Sequence, residues 1–112
     1  MGKFFAKPRH KFNAVKVEYD GIRFDSKLEG DYYLHLMKLK AAGQVVQFLR
    51  QVPFHLPGGV RYVVDFMEMW ANGALVFTDT KGIETPDFIM KKKLVEDLYR
   101  PITINIVKRG DF

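Results

Sequence analysis

Two charged residues, Asp79 and Lys81, follow an apolar run and are separated by a single residue. Residues two apart on a β-strand project from the same face, so this pair points together, and Phe77 and Leu75 continue that face toward the core. Burying a carboxylate and an ammonium is costly unless the charges are paired or bind a metal. Asp79 and Lys81 therefore form either an exposed strand end with an ion pair or a buried charged site. The spacing alone does not distinguish the two, because it occurs by chance in many chains.

Asp65 interrupts a second apolar run, where an acid is disfavoured in a strand. If the two runs form a hairpin with a two-residue loop, Asp65 faces Thr80 and lies on the other side of the sheet from Asp79. A three-residue loop, residues 71–73, places Asp65 directly opposite Asp79. Gly73 suits the left-handed conformation that ends such loops, so this second register is expected. Facing carboxylates repel unless a cation lies between them.

Glu29 is the third acid of the candidate site. Ser26 and Glu29 have the spacing of a capping box, which would by itself explain Glu29 structurally. The helix that begins there is expected to pack on the sheet, which would bring the carboxylate to the cluster. The chain has no cysteine, and three acids supply only oxygen ligands, which favour Mg²⁺ or Mn²⁺ over zinc. With Lys81 to orient water or stabilise developing charge, this set suits phosphodiester hydrolysis.

Periodicity and turn residues predict the elements that must position these side chains. The fold class expected is a mixed α/β layer protein with helices packed on one sheet. The predicted elements, in chain order, are a hairpin over 15–25 around Asp20-Gly21, a helix from the Ser26 cap to about Ala42 before Gly43, a strand over 44–56 broken at Pro53, strands over 61–70 and 74–81, a helix from the Thr85 cap to near Tyr99, and a strand over 102–107.

The positive charge is concentrated at the start of the chain. The 112 residues carry a formal charge of +5, and residues 1–16 contain five basic residues and no acid. Residues 1–14 are therefore predicted to be a basic arm in front of a single domain, 15–112. Such an arm suits a nucleic-acid backbone, and the simpler alternative is a solubilising tail. The arm residues expected to bind nucleic acid are Lys3, Lys7, Arg9 and Lys11.

The pattern of Glu29, Val64-Asp65 and Asp79-Thr80-Lys81 resembles the signature of the PD-(D/E)XK nuclease superfamily. The order of elements is similar to that superfamily's restriction-endonuclease-like αβββαβ core, here with an N-terminal hairpin. Three segments, 19–29, 79–82 and 84–88, are similar to a family of small phage-encoded nucleases described as endonuclease-like or Holliday-junction-resolvase-like. Val64 stands where the signature has proline.

The resemblance implies roles for individual residues. Glu29, Asp65 and Asp79 would be metal ligands with the Thr80 carbonyl as a further one, and Lys81 would be the catalytic lysine beside the three acids. Gln51 resembles a polar position seen near such sites. Lys91 and Lys92, on the second predicted helix, would contact nucleic acid or form a solvated face, with Met90 and Leu94 expected in the core.

The cluster of acids with Lys81, together with the family resemblance, predicts a metal-dependent endonuclease that hydrolyses DNA. The enzyme is expected to select branched, flap or junction structures in phage recombination, replication or packaging. The alternatives are a non-catalytic nucleic-acid-binding module on the same fold and a small interaction protein that docks through its basic arm. The expected partners are DNA and, for a four-way junction, a second copy of the chain with two-fold symmetry. We expect no membrane partner and no organic cofactor. The expected location is intracellular, the bacterial host's cytoplasm if phage-encoded.

Overall fold

A computed structural model describes residues 15–112, and the residues predicted as the basic arm lie outside that range. The described chain forms a two-stranded hairpin and a four-stranded sheet with two helices. Its elements are β1 (Val17–Tyr19), β2 (Ile22–Phe24), α1 (Lys27–Ala41), β3 (Val45–Leu56), a 3₁₀ turn (Pro57–Gly59), β4 (Val60–Trp70), β5 (Leu75–Thr80), α2 (Pro86–Leu98) and β6 (Ile104–Val107). The mixed α/β class and the predicted element order are confirmed.

Local signals place both helix starts correctly. The Ser26 side chain accepts a hydrogen bond from the Glu29 N–H at 3.1 Å, and the Thr85 side chain accepts one from the Phe88 N–H at 3.2 Å. These side chains satisfy amide groups that would otherwise lack a partner in the first helical turn. At the end of α1 the chain reverses at Gly43, whose φ of 79° favours glycine.

The four-stranded sheet has the order β3-β4-β5-β6. β3, β4 and β5 are antiparallel neighbours, whereas β5 and β6 run parallel, joined by the α2 crossover. Phe66 pairs with Thr78, which is the register expected from a three-residue loop between β4 and β5. Gly73, at the end of that loop, has a φ of 90°. The loop therefore fixes which residues of the two strands face each other.

The predicted break at Pro53 is wrong. β3 runs through Pro53, which pairs with Val63, and β3 is an edge strand, where a missing N–H is tolerated. The backbone irregularity lies instead at Gln51, whose φ of 55° is unusual for a residue with a side chain. Gln51 lies between the pairs Arg50–Phe66 and Val52–Val64, and hence across from Asp65.

Two apolar clusters form the core, and β4 contributes to both. Tyr62 and Val64 pack in the cluster that contains the buried residues of α2, whereas Phe66 packs in the cluster that contains those of α1. Residues two apart on a regular strand share a face, so the strand changes its packing partner around Asp65. The change brings this acid to the boundary between the two clusters.

The core prediction for α2 is wrong at two positions. Met90 and Leu94 are exposed, whereas Phe88 and Val95 are buried and Lys91 and Lys92 lie partly buried. Leu75, expected to continue the inward face of β5, is also exposed. The sequence pattern misleads on α2 because Lys91 and Lys92 lie between Phe88 and Val95 on the buried side of the helix, where their ammonium groups form ion pairs with Asp87 and Glu96.

Neither helix in residues 15–112 is long and apolar enough to cross a membrane.

The contact between α1 and the hairpin gives a stability prediction. A Cβ added at Gly30 would lie 2.6 Å from Val17 Cγ2 and 2.8 Å from Tyr19 Cε2. We expect Gly30→Ala to lower the melting temperature, because overpacking costs about 1–3 kcal/mol and exceeds the gain of up to about 1 kcal/mol in helix propensity.

Gly82→Ala is the control, because its Cβ would meet no atom within 4 Å and its φ needs no glycine. Thermal unfolding followed by circular dichroism measures both variants. A Gly30→Ala protein as stable as wild type would show that the hairpin does not hold this close contact.

Candidate functional site

The centre of the site is a pair of carboxylates on the neighbouring strands β4 and β5. The Asp79 carboxylate accepts a hydrogen bond from the Asp65 N–H at 3.1 Å. The Asp65 carboxylate accepts bonds from the Thr80 N–H at 2.9 Å and the Thr80 hydroxyl at 2.8 Å. Beyond the Phe66–Thr78 pair, the carboxylates of Asp65 and Asp79 therefore accept the N–H bonds that backbone carbonyls accept in a regular strand pair. These donors offset the repulsion that the sequence predicted between facing carboxylates.

Tyr62 and Lys81 complete the surroundings of Asp79. The Tyr62 hydroxyl, buried on the same strand as Asp65, donates a hydrogen bond to Asp79 Oδ2. Lys81 Nζ lies 3.9 Å from the same oxygen and 4.5 Å from the centre of the Phe88 ring. Phe88 therefore supports the lysine by a cation–π contact, with its ammonium group beside the buried acid. Lys81 stays partly exposed, while the Asp79 side chain is 2% exposed.

Glu29 reaches the site from the first turn of α1. Its side chain is 6% exposed, and its Oε2 atom accepts a hydrogen bond from Gln51 Nε2 at 2.9 Å and lies 3.5 Å from an Arg50 nitrogen. Arg50 stacks over the Phe24 ring at 4.5 Å, and its Nε is buried without a hydrogen-bond partner. The Glu29 carboxylate therefore faces β3. Its position is set by contacts with Gln51 and Arg50, in addition to the helix-capping role that the sequence suggested for Glu29.

Gln51 links the acids of α1 and β4. Its Nε2 is 2.9 Å from Glu29 Oε2 and 3.4 Å from Asp65 Oδ1. Both carboxylate oxygens therefore converge on one point, at which the amide group lies in this structure. The left-handed backbone of Gln51 costs on the order of 1–2 kcal/mol, and such strain clusters at sites where a side chain must be aimed.

The site carries more negative than positive charge. Burial, reinforced by the nearby Asp65 carboxylate and only partly opposed by Arg50, raises the pKa of Glu29 to about 7. Burial and Asp65 likewise raise the pKa of Asp79 to about 6, although Tyr62 and Lys81 act in the opposite direction. Burial next to Asp79 also raises the pKa of Tyr62, so this hydroxyl keeps its proton as a donor. An added positive charge would favour the ionised acids.

The donor chemistry suits a hard cation, because every candidate ligand is an oxygen. As the side chains stand, no group of three or more His, Asp or Glu residues within 15–112 is arranged to hold a metal ion. Two of the acids converge on the Gln51 amide, whereas both oxygens of Asp79 accept protein donors. The full ligand set, including the Thr80 carbonyl, stays a prediction.

The structure brings together most of the residues singled out from the sequence and adds two. Tyr62 and Arg50 contact Asp79 and Glu29 but were not identified as site residues. For Arg50 the signal was a charged residue beside Gln51 in a largely apolar strand; for Tyr62, nothing distinguished it from a core aromatic. The remaining candidates for nucleic-acid contact are separate from this cluster: Lys91 pairs with Asp87, Lys92 pairs with Glu96, and Lys3, Lys7, Arg9 and Lys11 lie outside the described residues.

Comparison with known families covers almost the whole of this domain. A family described as a protein of unknown function, DUF1064, matches residues 9–111. The chain belongs to the DUF1064 family. The match includes every acid of the site as well as Lys81 and Gln51, so the arrangement lies inside the unit that defines the family. No curated protein sequence matches the chain.

The raised pKa of Glu29 gives a pH prediction for this DUF1064 protein in the absence of metal. A carboxyl with a pKa of 4.5 unfolded and about 7 folded holds its proton more tightly in the native state. Its contribution to stability is therefore complete below pH 4.5 and is lost as the pH rises through 7. We expect Glu29→Gln to be more stable than wild type at pH 8 and the difference to shrink toward pH 4.5.

Urea unfolding in chelator at a series of pH values measures this difference, with Glu18→Gln, an exposed glutamate on β1, as the control. If Glu29→Gln and wild type keep a constant difference across the pH range, the Glu29 carboxyl does not titrate as described.

Proposed function

We propose that this DUF1064 protein is a divalent-metal-dependent endonuclease that hydrolyses phosphodiester bonds of DNA. The observation that carries the proposal is the close set of Glu29, Asp65 and Asp79 with the partly exposed Lys81 beside it. A solely structural role gives little reason to gather three acids where two have raised pKa values. We also propose that the element order is that of the restriction-endonuclease-like core and that the chain belongs to the PD-(D/E)XK superfamily.

The acids would hold Mg²⁺ or Mn²⁺ through oxygen atoms. Glu29 Oε2 and Asp65 Oδ1 already lie within 3.4 Å of one point, and Asp79 and the Thr80 carbonyl are the remaining candidate ligands. A bound divalent cation would lower the pKa of a water ligand and offset negative charge on the phosphate. The Gln51 amide would have to leave its present position, which its exposed location on an edge strand permits.

The chain's own side chains position the reacting groups. Lys81 can stabilise negative charge that develops on the phosphate, or orient the attacking water, because its ammonium stays at the solvent boundary of the site. The Tyr62 hydroxyl fixes the orientation of Asp79, and Arg50 fixes that of Glu29. The attacking water gives up a proton to solvent as it adds to phosphorus, the bond between phosphorus and one sugar oxygen breaks, and the leaving oxygen takes up a proton from solvent.

Branched, flap or junction DNA is the preferred substrate in this proposal. The described domain is small, which favours recognition through the phosphate backbone and DNA shape over reading a long base sequence. Cleavage of both strands of a four-way junction would use two copies of the chain with two-fold symmetry. The same proposal includes a role in phage recombination, replication or packaging inside a bacterial host cell.

The second candidate is a non-catalytic nucleic-acid-binding module on the same fold. The observation that favours it is that the described carboxylates are satisfied by protein donors, so the fold does not need a metal to hold them. This candidate predicts binding that is independent of metal and of Lys81. A third candidate, an interaction protein that acts through its basic arm, predicts that removal of residues 1–13 abolishes all activity.

Cleavage of labelled DNA tests the main proposal. Purified protein is incubated with Mg²⁺ or Mn²⁺ and duplex, single-stranded, flap and four-way junction DNA, with an RNA strand included. We expect cleavage that stops on chelation and falls by at least about 100-fold in Lys81→Ala and Asp79→Asn, because charge stabilisation in the site is lost.

Lys93→Ala is the matched control, since Lys93 is an exposed lysine on the outer side of α2. Circular dichroism checks that each variant folds. Tight binding by wild type without cleavage of any substrate would overturn the nuclease and support the binding module. Cleavage that is equal in wild type and Lys81→Ala would show that the activity comes from elsewhere.

A further inference from the structure

A groove of about 480 Å³ begins at the candidate site and runs past the start of α1. Thr80 and Lys81, at the end of β5, form one part of its wall, and Leu28, the neighbour of Glu29, forms another. The groove is thus continuous with the carboxylate site.

The groove carries more positive than negative charge. Lys27 and Arg109 both line it, and both pair with the single carboxylate of Asp31, each at 2.8 Å. One acid cannot neutralise two cations, so this trio has a net charge of +1. Both cations are more than half exposed, which leaves N–H donors free for a ligand. Lys81 adds a further cation at the end nearest the site.

The two cations are held in place by the arrangement around Asp31. The Tyr19 hydroxyl donates to the same carboxylate at 3.0 Å. Burial acts to raise the pKa of Asp31, but the three donors together outweigh it and lower the pKa below its usual value. Asp31 therefore stays ionised and acts as an anchor between α1, the hairpin and the C-terminal segment that carries Arg109. Such an anchor positions charge at the groove more rigidly than two free side chains would.

Part of the remaining lining is apolar, and the rest consists of hydroxyl side chains and a glycine. Leu28 and Ile83 give it an apolar wall, which fits a sugar or base face better than a bare inorganic anion. Its volume lies in the range of sites that hold small ligands of about nucleotide size. Val15 also lines the groove, and the chain before Val15 carries the positive charge of residues 1–14.

We propose that this groove binds the sugar–phosphate backbone of a nucleic-acid strand next to the bond that is cleaved, with Arg109 and Lys27 on a phosphate. This inference rests on the proposed nuclease function and adds to it the path of the strand. The strand runs from the acids past Lys81 and Arg109 toward Val15.

Salt dependence of binding tests the proposal in chelator, where no cleavage takes place. Fluorescence anisotropy of a labelled single strand and of a labelled four-way junction gives the dissociation constant at several salt concentrations. Each phosphate contact contributes about 0.7 to 0.9 to the slope of log K against log salt. Arg109→Ala is expected to lose about one phosphate contact, so the slope should become shallower by about 0.7 to 0.9 on both probes. Arg109→Lys is expected to keep the wild-type slope.

Arg61→Ala is the matched control, because Arg61 is an exposed arginine at the start of β4 and does not line the groove. Ile83→Trp provides a second test without a change of charge: the larger side chain is expected to fill the groove and weaken binding at every salt concentration. Ile89→Trp, on the outer face of α2, is its control. Thermal unfolding checks that all variants fold.

The possible outcomes distinguish a failure of the groove proposal from a failure of the nuclease proposal. If wild type cleaves DNA but Arg109→Ala keeps the wild-type slope and Ile83→Trp keeps the affinity, the groove proposal is overturned and the nuclease stands. If wild type neither binds nor cleaves nucleic acid, both proposals fail. If Arg109→Ala loses affinity for a labelled poly-glutamate peptide but not for either DNA, the groove takes an acidic protein segment and the proposal is overturned.

Discussion

The site depends on one exchange of hydrogen bonds between neighbouring strands. Asp65 and Asp79 face each other, and each carboxylate accepts an N–H from the other's strand. A buried carboxylate is tolerated only when donors replace the water it loses, and here the backbone supplies them. The exchange takes the place of backbone pairing beyond Phe66 and Thr78, so the strands end their regular ladder where the charged residues begin.

The other features of the site follow from that constraint. Because β4 changes its packing partner around Asp65, α1 and α2 each bring residues to the same place: Glu29 from one helix, and the Phe88 ring that supports Lys81 from the other. Across the edge of the sheet, the left-handed backbone of Gln51 directs an amide between Glu29 and Asp65. The negative charge left over explains why the pKa values of Glu29 and Asp79 are raised.

Positive charge lies around this acidic centre. Arg50 faces Glu29, Lys81 faces Asp79, and Lys27 and Arg109 share Asp31 along the adjoining groove. An acidic centre bordered by cations suits a substrate that carries negative charge along its length, and it is consistent with the nuclease proposal. The acids would then bind a cation, and the surrounding lysines and arginines would hold the phosphates on either side.

The order of the elements and the expected hairpin register could be predicted from the sequence, because caps, turn glycines and alternation act between residues close in the chain. The Ser26 cap, the Asp20-Gly21 turn and the three-residue loop ending at Gly73 all hold. The contacts of individual side chains could not be predicted in the same way. Tyr62 and Arg50 joined the site, Met90 and Leu94 turned outward, and Pro53 stayed within an edge strand. These outcomes depend on packing between segments distant in sequence, which local patterns do not encode.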